Sequence, residues 1–511
     1  MKVKHRKSAG AALPRATLAA VAASLSLLGV AQALAGDWQT TSSVAVGVIV
    51  SDNLCLSPSD PVSDVIGTAT PTVNVRGEGG RLRMGLNASA EFNTLELNEI
   101  DCSGNAGGGQ FANRQSFIPR GAFNLEFDAV DSWLVLRSSA SASQNAINPL
   151  APGGEDNING LNNTNTTYRY GVGATAERPL PRDLYISATV DYDEQVNRVG
   201  LIGDTTQETA SFRFGQQPAA SRLSIGVGAN YTLISFEDRI FNGPQPEGLT
   251  ENELLTMEMF GAFQVTRSLA LNAKAGEEDN TFLSQSGDID GSFWDLGFSW
   301  NPNSRLTIDV GYGERFYGEN PRASVLWRHK RSNFRAEWQQ NVNFPRNIRG
   351  LPISQQQELD VPLPGDPLGS DGIPTFVTQG AVQVESVTLR YSFDARRTNF
   401  DMFATSSDQQ RFVDGSTLKT LTVGVSARRR LGKSLSLNGN VTWLDNEGDG
   451  GAFSGGRRGG LRGWQAGLGL EKTLGIRTSL SVRYSYRDQE SVNFGEFTEN
   501  RVQLSLRYRF L

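Results

Sequence analysis

The sequence predicts an all-β fold: a single transmembrane antiparallel β-barrel of about 22 strands, with 20 the next count. Three observations predict it. Apolar and polar residues alternate with a period of two, in runs of roughly 9 to 13 residues, the length a tilted strand needs to cross a bilayer. The connections alternate between short and long, as expected where periplasmic turns are tight and outer loops are not. Past residue 35 no apolar run is long enough for a membrane helix, which leaves closed strand pairing as the other way to satisfy every backbone group in lipid. Composition agrees with this reading: of 511 residues 38% are hydrophobic and 20% charged, and 55 glycines are spread along the chain. A net charge of −6 without a Lys/Arg-dense segment in the mature chain argues against nucleic acid.

The chain opens with Lys2, Lys4, Arg6, Lys7 and Arg15, followed by an apolar run from Leu18 to Val30 and by Ala33-Leu34-Ala35. Basic, apolar and small-residue segments in that order are a signal peptide, so 1–35 is assigned as one, cut after Ala35. A membrane anchor would need a longer run, and no cysteine at the cut points to a lipoprotein. Residues 36–511 are then the barrel, and the first strand follows the cut so closely that no N-terminal plug domain is expected.

Strands are expected at 38–50, 64–76, 81–97, 117–129, 131–143, 165–177, 183–195, 206–214, 221–235, 253–266 and 269–281. They continue at 291–301, 304–316, 321–330, 332–342, 379–391, 396–405, 417–429, 433–445, 461–473, 476–488 and 498–510. Two show the alternation plainly. Leu435, Leu437, Gly439, Val441 and Trp443 share one face against Ser434, Ser436, Asn438, Asn440 and Thr442. Val502, Leu504, Leu506, Tyr508 and Phe510 likewise alternate with Arg501, Gln503, Ser505, Arg507 and Arg509. Connections after even-numbered strands are short: Gly77–Gly80, Arg178–Arg182, Arg267-Ser268, Pro302-Asn303 and Leu474-Gly475. Those after odd-numbered strands are mostly long and polar, as at 144–164 and 446–460; the connection 317–320 is shorter than its position predicts. Trp38, Trp294, Trp300, Trp327, Trp338, Trp443 and Trp464 fall on the apolar phase, mostly near strand ends, where interface girdles sit. Trp133 is ambiguous.

Several segments carry a family resemblance. They are WDLGFSWNPNSRLTIDVGYGERFYG from Trp294 to Gly318, Ser51-Asp52-Asn53 after the first strand, WLVLRSSASASQ from Trp133 to Gln144, and Asp64–Arg76 with its Gly-rich turn. Together they resemble the outer-membrane barrel family associated with PEP-CTERM/exosortase systems, through most of the mature chain. The resemblance implies a Gram-negative outer membrane, a porin-like barrel and a link to exopolysaccharide production and export, and it brings no catalytic residues. Outer-membrane barrels usually finish on an aromatic residue; here Leu511 follows Phe510, so the assembly signal is assigned to Tyr508 and Phe510.

Residues that could carry chemistry are few. His329, the one histidine after the signal peptide, lies in Arg328-His329-Lys330-Arg331 at an expected periplasmic turn and reads as a solvated basic turn. No His or Cys pairing suits a transition metal, and no metal or cofactor is expected. The acids Asp445, Glu447, Asp449 and Glu277, Glu278, Asp279 lack a full calcium-loop pattern; they read as solvated outer segments, bridged by divalent ions to lipopolysaccharide. Cys55 and Cys102 are the only cysteines and follow the first and third strands, in loops that sit side by side on the rim. An oxidising compartment permits a disulfide between them; two unpaired small residues are the alternative.

Charge is costly on the lipid face, so strand arginines should line the lumen. Arg477, Arg483 and Arg487, then Arg501, Arg507 and Arg509, with Arg305, Arg315 and Arg335, form an expected basic stripe balanced by Asp309, Glu337 and Glu471. Such a stripe either favours anions in the pore or braces the wall. The leading function is a non-enzymatic barrel that passes, or supports passage of, polysaccharide, with region 343–378 folding inward or capping the mouth. The alternative is a barrel enzyme modifying polysaccharide or lipid, with a carboxylate pair drawn from Asp191, Asp193, Glu126 and Asp128. Expected partners are outer-membrane lipid and lipopolysaccharide, the barrel assembly machinery, exopolysaccharide and periplasmic export components.

Overall fold

The computed structural model describes residues 36–94, 117–131, 133–146, 150, 164–198, 203–216, 222–237, 250–285, 289–344, 380–449 and 459–510. Residues 1–35, the expected signal peptide, and Leu511 lie outside the described residues. Strands run in chain order: β1 (Gly36–Ser51), β2 (Asp64–Gly79), β3 (Leu82–Asn93), β4 (Phe117–Val130), β5 (Leu134–Ala146), β6 (Thr164–Leu180), β7 (Leu184–Asn197) and β8 (Thr205–Gln216). Then come β9 (Leu223–Phe236), β10 (Glu251–Thr266), β11 (Leu269–Thr281), β12 (Gly291–Asn303), β13 (Leu306–Arg315), β14 (Gly318–Glu319), β15 (Arg322–His329) and β16 (Ser332–Asn343). The last are β17 (Val382–Asp394), β18 (Thr398–Arg411), β19 (Thr417–Arg430), β20 (Leu435–Asp449), β21 (Gly459–Thr473), β22 (Thr478–Ser491) and β23 (Gly495–Phe510).

Each strand pairs antiparallel with its chain neighbours, and β1 closes on β23 from Ser42↔Phe510 to Ser51↔Arg501. Closure leaves no sheet edge, which is what lets strands cross lipid at all. The two-residue β14 and β15 both pair with β13 and form one stave, interrupted at Asn320-Pro321. Pro321 has no N–H to give the ladder, while Asn320 keeps its bond to the Gly313 carbonyl (2.9 Å). The barrel therefore has 22 staves, the expected number.

Alternation sorts the side chains onto two faces. On β23 Val502, Leu504, Leu506, Tyr508 and Phe510 are exposed, whereas Phe497, Glu499 and Arg501 on the other phase are buried. The bare apolar phase is the lipid side and the other lines the interior. Every tryptophan placed on the apolar phase faces outward. Trp38, Trp300 and Trp327 sit toward the short-turn end, and Trp294, Trp338, Trp443 and Trp464 toward the other, with Trp443 and Trp464 paired across strands at 6.3 Å. Trp38 lies flat on Gly77, where a Cβ would come within 2.0 Å of the indole. Trp133 stands in the β4–β5 turn.

The turn at Arg267-Ser268 and that after Thr473 lie on the same, short-turn rim, as expected. Register shifts at Asp128/Val130, Gln264/Thr266 and Trp300/Asn303 all fall beside tight turns of that rim, where a bulge adds the twist that a short connection needs. The opposite rim departs from expectation near its C-terminal side. β18 runs to Arg411 and β23 begins at Gly495, so the connections 412–416 and 492–494 are short.

Candidate functional site

The lumen is the site a barrel offers, and its inner wall is laid out by the polar phase of each strand. That wall is braced by cross-strand pairs, most of them toward the periplasmic rim. Arg83 meets Glu126 (3.2 Å) and Asp128 (3.8 Å), Arg137 meets Asp191 (2.9 Å), and Arg169 meets Asp193 (3.5 Å). Arg335 meets Glu337 (3.0 Å) and Arg428 meets Glu471 (3.2 Å). The carboxylates expected to serve a barrel enzyme are thus tied to guanidinium groups, in the bracing arrangement. Each exposed pair contributes only ~0–1 kcal/mol; keeping an arginine off the lipid face avoids ~2–4 kcal/mol at mid-membrane and ~0–1 kcal/mol near the interface.

Glycine makes room for one of these braces and for a further one. A Cβ on Gly173 would stand 2.0 Å from Asp191 Oδ1. Arg322 reaches Asp295 across β13 (Nε–Oδ2 2.9 Å) by lying over Gly311, where a Cβ would be 2.6 Å from its Cζ.

The expected basic stripe is dispersed over three levels. Arg305 and Arg477 lie in short turns, because β13 starts at Leu306 and β22 at Thr478. Arg507 and Arg509 face inward near the periplasmic rim and are exposed. Arg483 stands at mid-height, beside Gly467. Arg487 and Arg501 are buried in the outer half, where Arg487 approaches Glu499 (3.8 Å) and Ser51 Oγ donates to Glu499 (2.8 Å). Arg315 is ion-paired with buried Glu278 and lies 5.1 Å over the Phe293 ring. Arg335 is braced as described, and Asp309 accepts from Ser324 Oγ (3.4 Å).

The outer half of the wall from β17 round to β1 is covered. Gln409, Leu418, Thr422, Asn446, Gln489 and Ile49 all point inward there and are buried. Two covering segments are described. In the β1–β2 connection Leu54 packs on Ile49 and Ile66, and Asn53 Nδ2 donates to the carbonyls of Ser57 (2.9 Å) and Thr498 (3.0 Å). From the β5–β6 connection Leu150 reaches β19–β22. Its side chain packs on Leu418 and stands where a Cβ on Gly448 or Gly459 would lie 3.0 Å from it, and its carbonyl accepts from Ser491 Oγ (3.1 Å). Leu150 is 6% exposed.

Across the mouth, Ile234, Phe236, Phe282, Phe344, Ala381 and Phe412 form an aromatic-rich core flanked by Phe316 and Tyr317. Burial pushes the Tyr317 phenol above its ordinary value, against the neighbouring Arg315, which lowers it. Of the region expected to cap the mouth, Phe344 contributes to this core, and 345–378 lie outside the described residues.

The remaining candidates fall as follows. Cys55 is buried and disulfide-bonded; Cys102 lies outside the described residues. His329 stacks on Trp327 (5.7 Å, 8°) beside the Lys330-Arg331 turn. Glu278 points inward to Arg315 while Glu277 and Asp279 point out, so that acidic run is split between two faces. Among the described residues no group of three or more His, Cys, Asp or Glu is arranged to hold a metal ion. Tyr508 and Phe510 face lipid as an edge-on pair at 5.3 Å.

No protein-family model and no curated protein matches the sequence. Solved structures do match the fold. The FrpB iron transporter from Neisseria meningitidis, in its apoprotein form, aligns with a TM-score of 0.50 at 10% identity over 92% of this chain and 81% of that one. The siderophore receptor PirA from Acinetobacter baumannii aligns at 0.48 and 13% identity, over 92% of this chain and 80% of that one. A mutant ferric enterobactin receptor, PfeA, from Pseudomonas aeruginosa aligns at 0.48 and 12% identity over the same shares. At these identities the likeness is one of fold. The chain is a large outer-membrane β-barrel.

Proposed function

We propose that this barrel passes, or supports the passage of, polysaccharide across the outer membrane without catalysing a reaction. The saccharide class comes from the resemblance to exopolysaccharide-associated barrels. The observation that carries passage is the asymmetric lumen. Twenty-two staves at ~4.8 Å spacing and ~40° tilt enclose roughly 40 Å between backbones, exposed toward the periplasm and covered toward the outside by the chain's own segments. Barrels of this size often carry a plug, and here Leu150 and the β1–β2 connection cover part of the outer wall from within. Lipopolysaccharide at the lipid face, the assembly machinery reading the C-terminal strand, and periplasmic export components are proposed partners.

A second reading is uptake of iron, favoured by the fold likeness to an iron transporter. Deleting the gene separates the two. The first reading expects acidic or neutral polysaccharide retained in the periplasm with unchanged growth on scarce iron. The second expects an iron-limited growth defect with normal surface polysaccharide, which would overturn the first.

A further inference from the structure

The loop-rich rim is acidic, and the periplasmic rim is basic over β17–β23, whereas its β2–β7 side carries Glu78, Asp131 and Asp183. Above the outward apolar band at the loop-rich end, the alternation continues in acids, as in Glu253, Asp279, Glu314 and Glu447, with Glu490 paired to Arg462 (3.6 Å). At the periplasmic ends of β17–β23 the reverse holds. Arg396 and Arg397 form the β17–β18 turn, and Arg428, Arg429 and Arg430 close β19. Arg430 Nη2 donates to the Arg396 carbonyl (3.1 Å), so these two groups adjoin. Lys433 follows in the next turn, Lys472 ends β21, and the Arg509 N–H donates to the Arg477 carbonyl (2.8 Å). All of these side chains are exposed. The acids of the same stretch are Asp394, Asp401 and Glu471, and Glu471 already meets Arg428. The cations therefore exceed what bracing uses.

Folding does not ask for this. A tight turn needs polar residues with suitable backbone angles, and no particular sign of charge. Inner-leaflet headgroups would be met by outward side chains, yet Arg428, Arg430, Arg507 and Arg509 stand on the inward phase, with Arg429 and Lys472 outward. The seven staves span roughly 40 Å of rim, far more than a single small anion occupies. A polymer carrying regularly spaced negative charge matches both the length and the inward placement, and clustered like charge raises its local concentration and capture rate.

Resting on the passage reading, we infer that the periplasmic rim of β17–β23 is a docking surface for an acidic polysaccharide arriving from the periplasm.

The test uses the full protein in phosphatidylcholine nanodiscs, titrated with polygalacturonate and with neutral dextran. Wild type should bind polygalacturonate and not dextran, and should lose the binding in about 1 M salt, where screening acts within ~3 Å. Replacing Arg396, Arg397, Arg430 and Arg509 by Gln should weaken binding about tenfold or more, while replacing the same four by Lys should keep it within about twofold, since only the charge is asked for. Heat-modifiable migration on gels checks that each variant is folded. Equal binding of dextran, an unchanged affinity in the folded Gln variant, or a charge effect that appears only in discs containing phosphatidylglycerol would overturn the docking surface. Release of entrapped oligosaccharide from proteoliposomes is scored separately. Binding without passage sinks the passage reading and leaves the docking surface, and passage without binding does the reverse.

Discussion

Replacing Leu150 by Ala tests whether this leucine holds its connection against the outer wall. Leu150 is buried against Leu418 and over the bare backbones of Gly448 and Gly459, with one hydrogen bond to Ser491 Oγ. Truncating a buried leucine costs ~2–5 kcal/mol. A surface connection relaxes more readily than a core, so the lower end applies: about 2 kcal/mol, or roughly a 30-fold fall in the docked-to-undocked ratio. Single-channel recording in planar bilayers reads this as more frequent or longer high-conductance episodes. Gly448→Ala approaches from the other side. Its new Cβ would lie 3.0 Å from Leu150 Cδ1, pushing the same side chain out while leaving Leu150 itself intact. Both variants should raise open occupancy. If neither differs from wild type, Leu150 does not hold the mouth, and the reasoning from its burial is refuted.

Other outcomes follow from the wall. Glu278→Gln leaves Arg315 without its charge partner in a largely buried setting and should cost about 1–3 kcal/mol, seen as a lower temperature for loss of heat-modifiable migration; an unchanged temperature refutes it. Gly311→Ala should destabilise the protein by displacing Arg322 from Asp295, and a second change of Arg322 to Ala should remove the clash, so the double variant is expected to lose no more than Arg322→Ala alone. Arg507→Gln with Arg509→Gln should reduce anion preference in reversal-potential measurements, whereas Arg487→Gln, beside buried Glu499, should lower stability; the opposite assignment would restore a continuous selectivity stripe. We propose that Cys55 pairs with Cys102, so peptide mapping without reductant should recover the two linked, and free Cys102 would contradict it.

Much of the wall was legible because lipid writes on sequence at every second residue. Strand 269–281 was read to the residue, since Leu271, Ala273 and Ala275 face lipid directly up to the tight Arg267-Ser268 turn. Strand β18 was cut short at 405 because beyond it Ser406, Asp408 and Gln410 face outward above the lipid band, where both faces are polar and the period vanishes. The same loss hid the start of β23 at Gly495-Glu496. Alternation alone places Arg305 and Arg477 on the wall, because a strand end and a turn look alike when both are polar. The mouth was the least legible part. Leu150 sits in an Asn/Gly-rich connection that reads as an ordinary outer loop, and its partners lie on strands about 270 or more residues away. One signal was present: a leucine flanked by prolines, Pro149-Leu150-Ala151-Pro152, is unusual in a solvated loop.

The most direct measurement locks the mouth. A Leu150→Cys/Leu418→Cys variant, reconstituted in planar bilayers, would be recorded oxidised and then reduced, with wild type as the control for reduction of the Cys55 disulfide. The account predicts that the pair cross-links readily, holds conductance at its lowest level, and gives more open occupancy than wild type once reduced. Failure to cross-link in the folded protein, or a locked state that conducts as freely as the reduced one, would contradict a lumen closed by the chain's own outer connection.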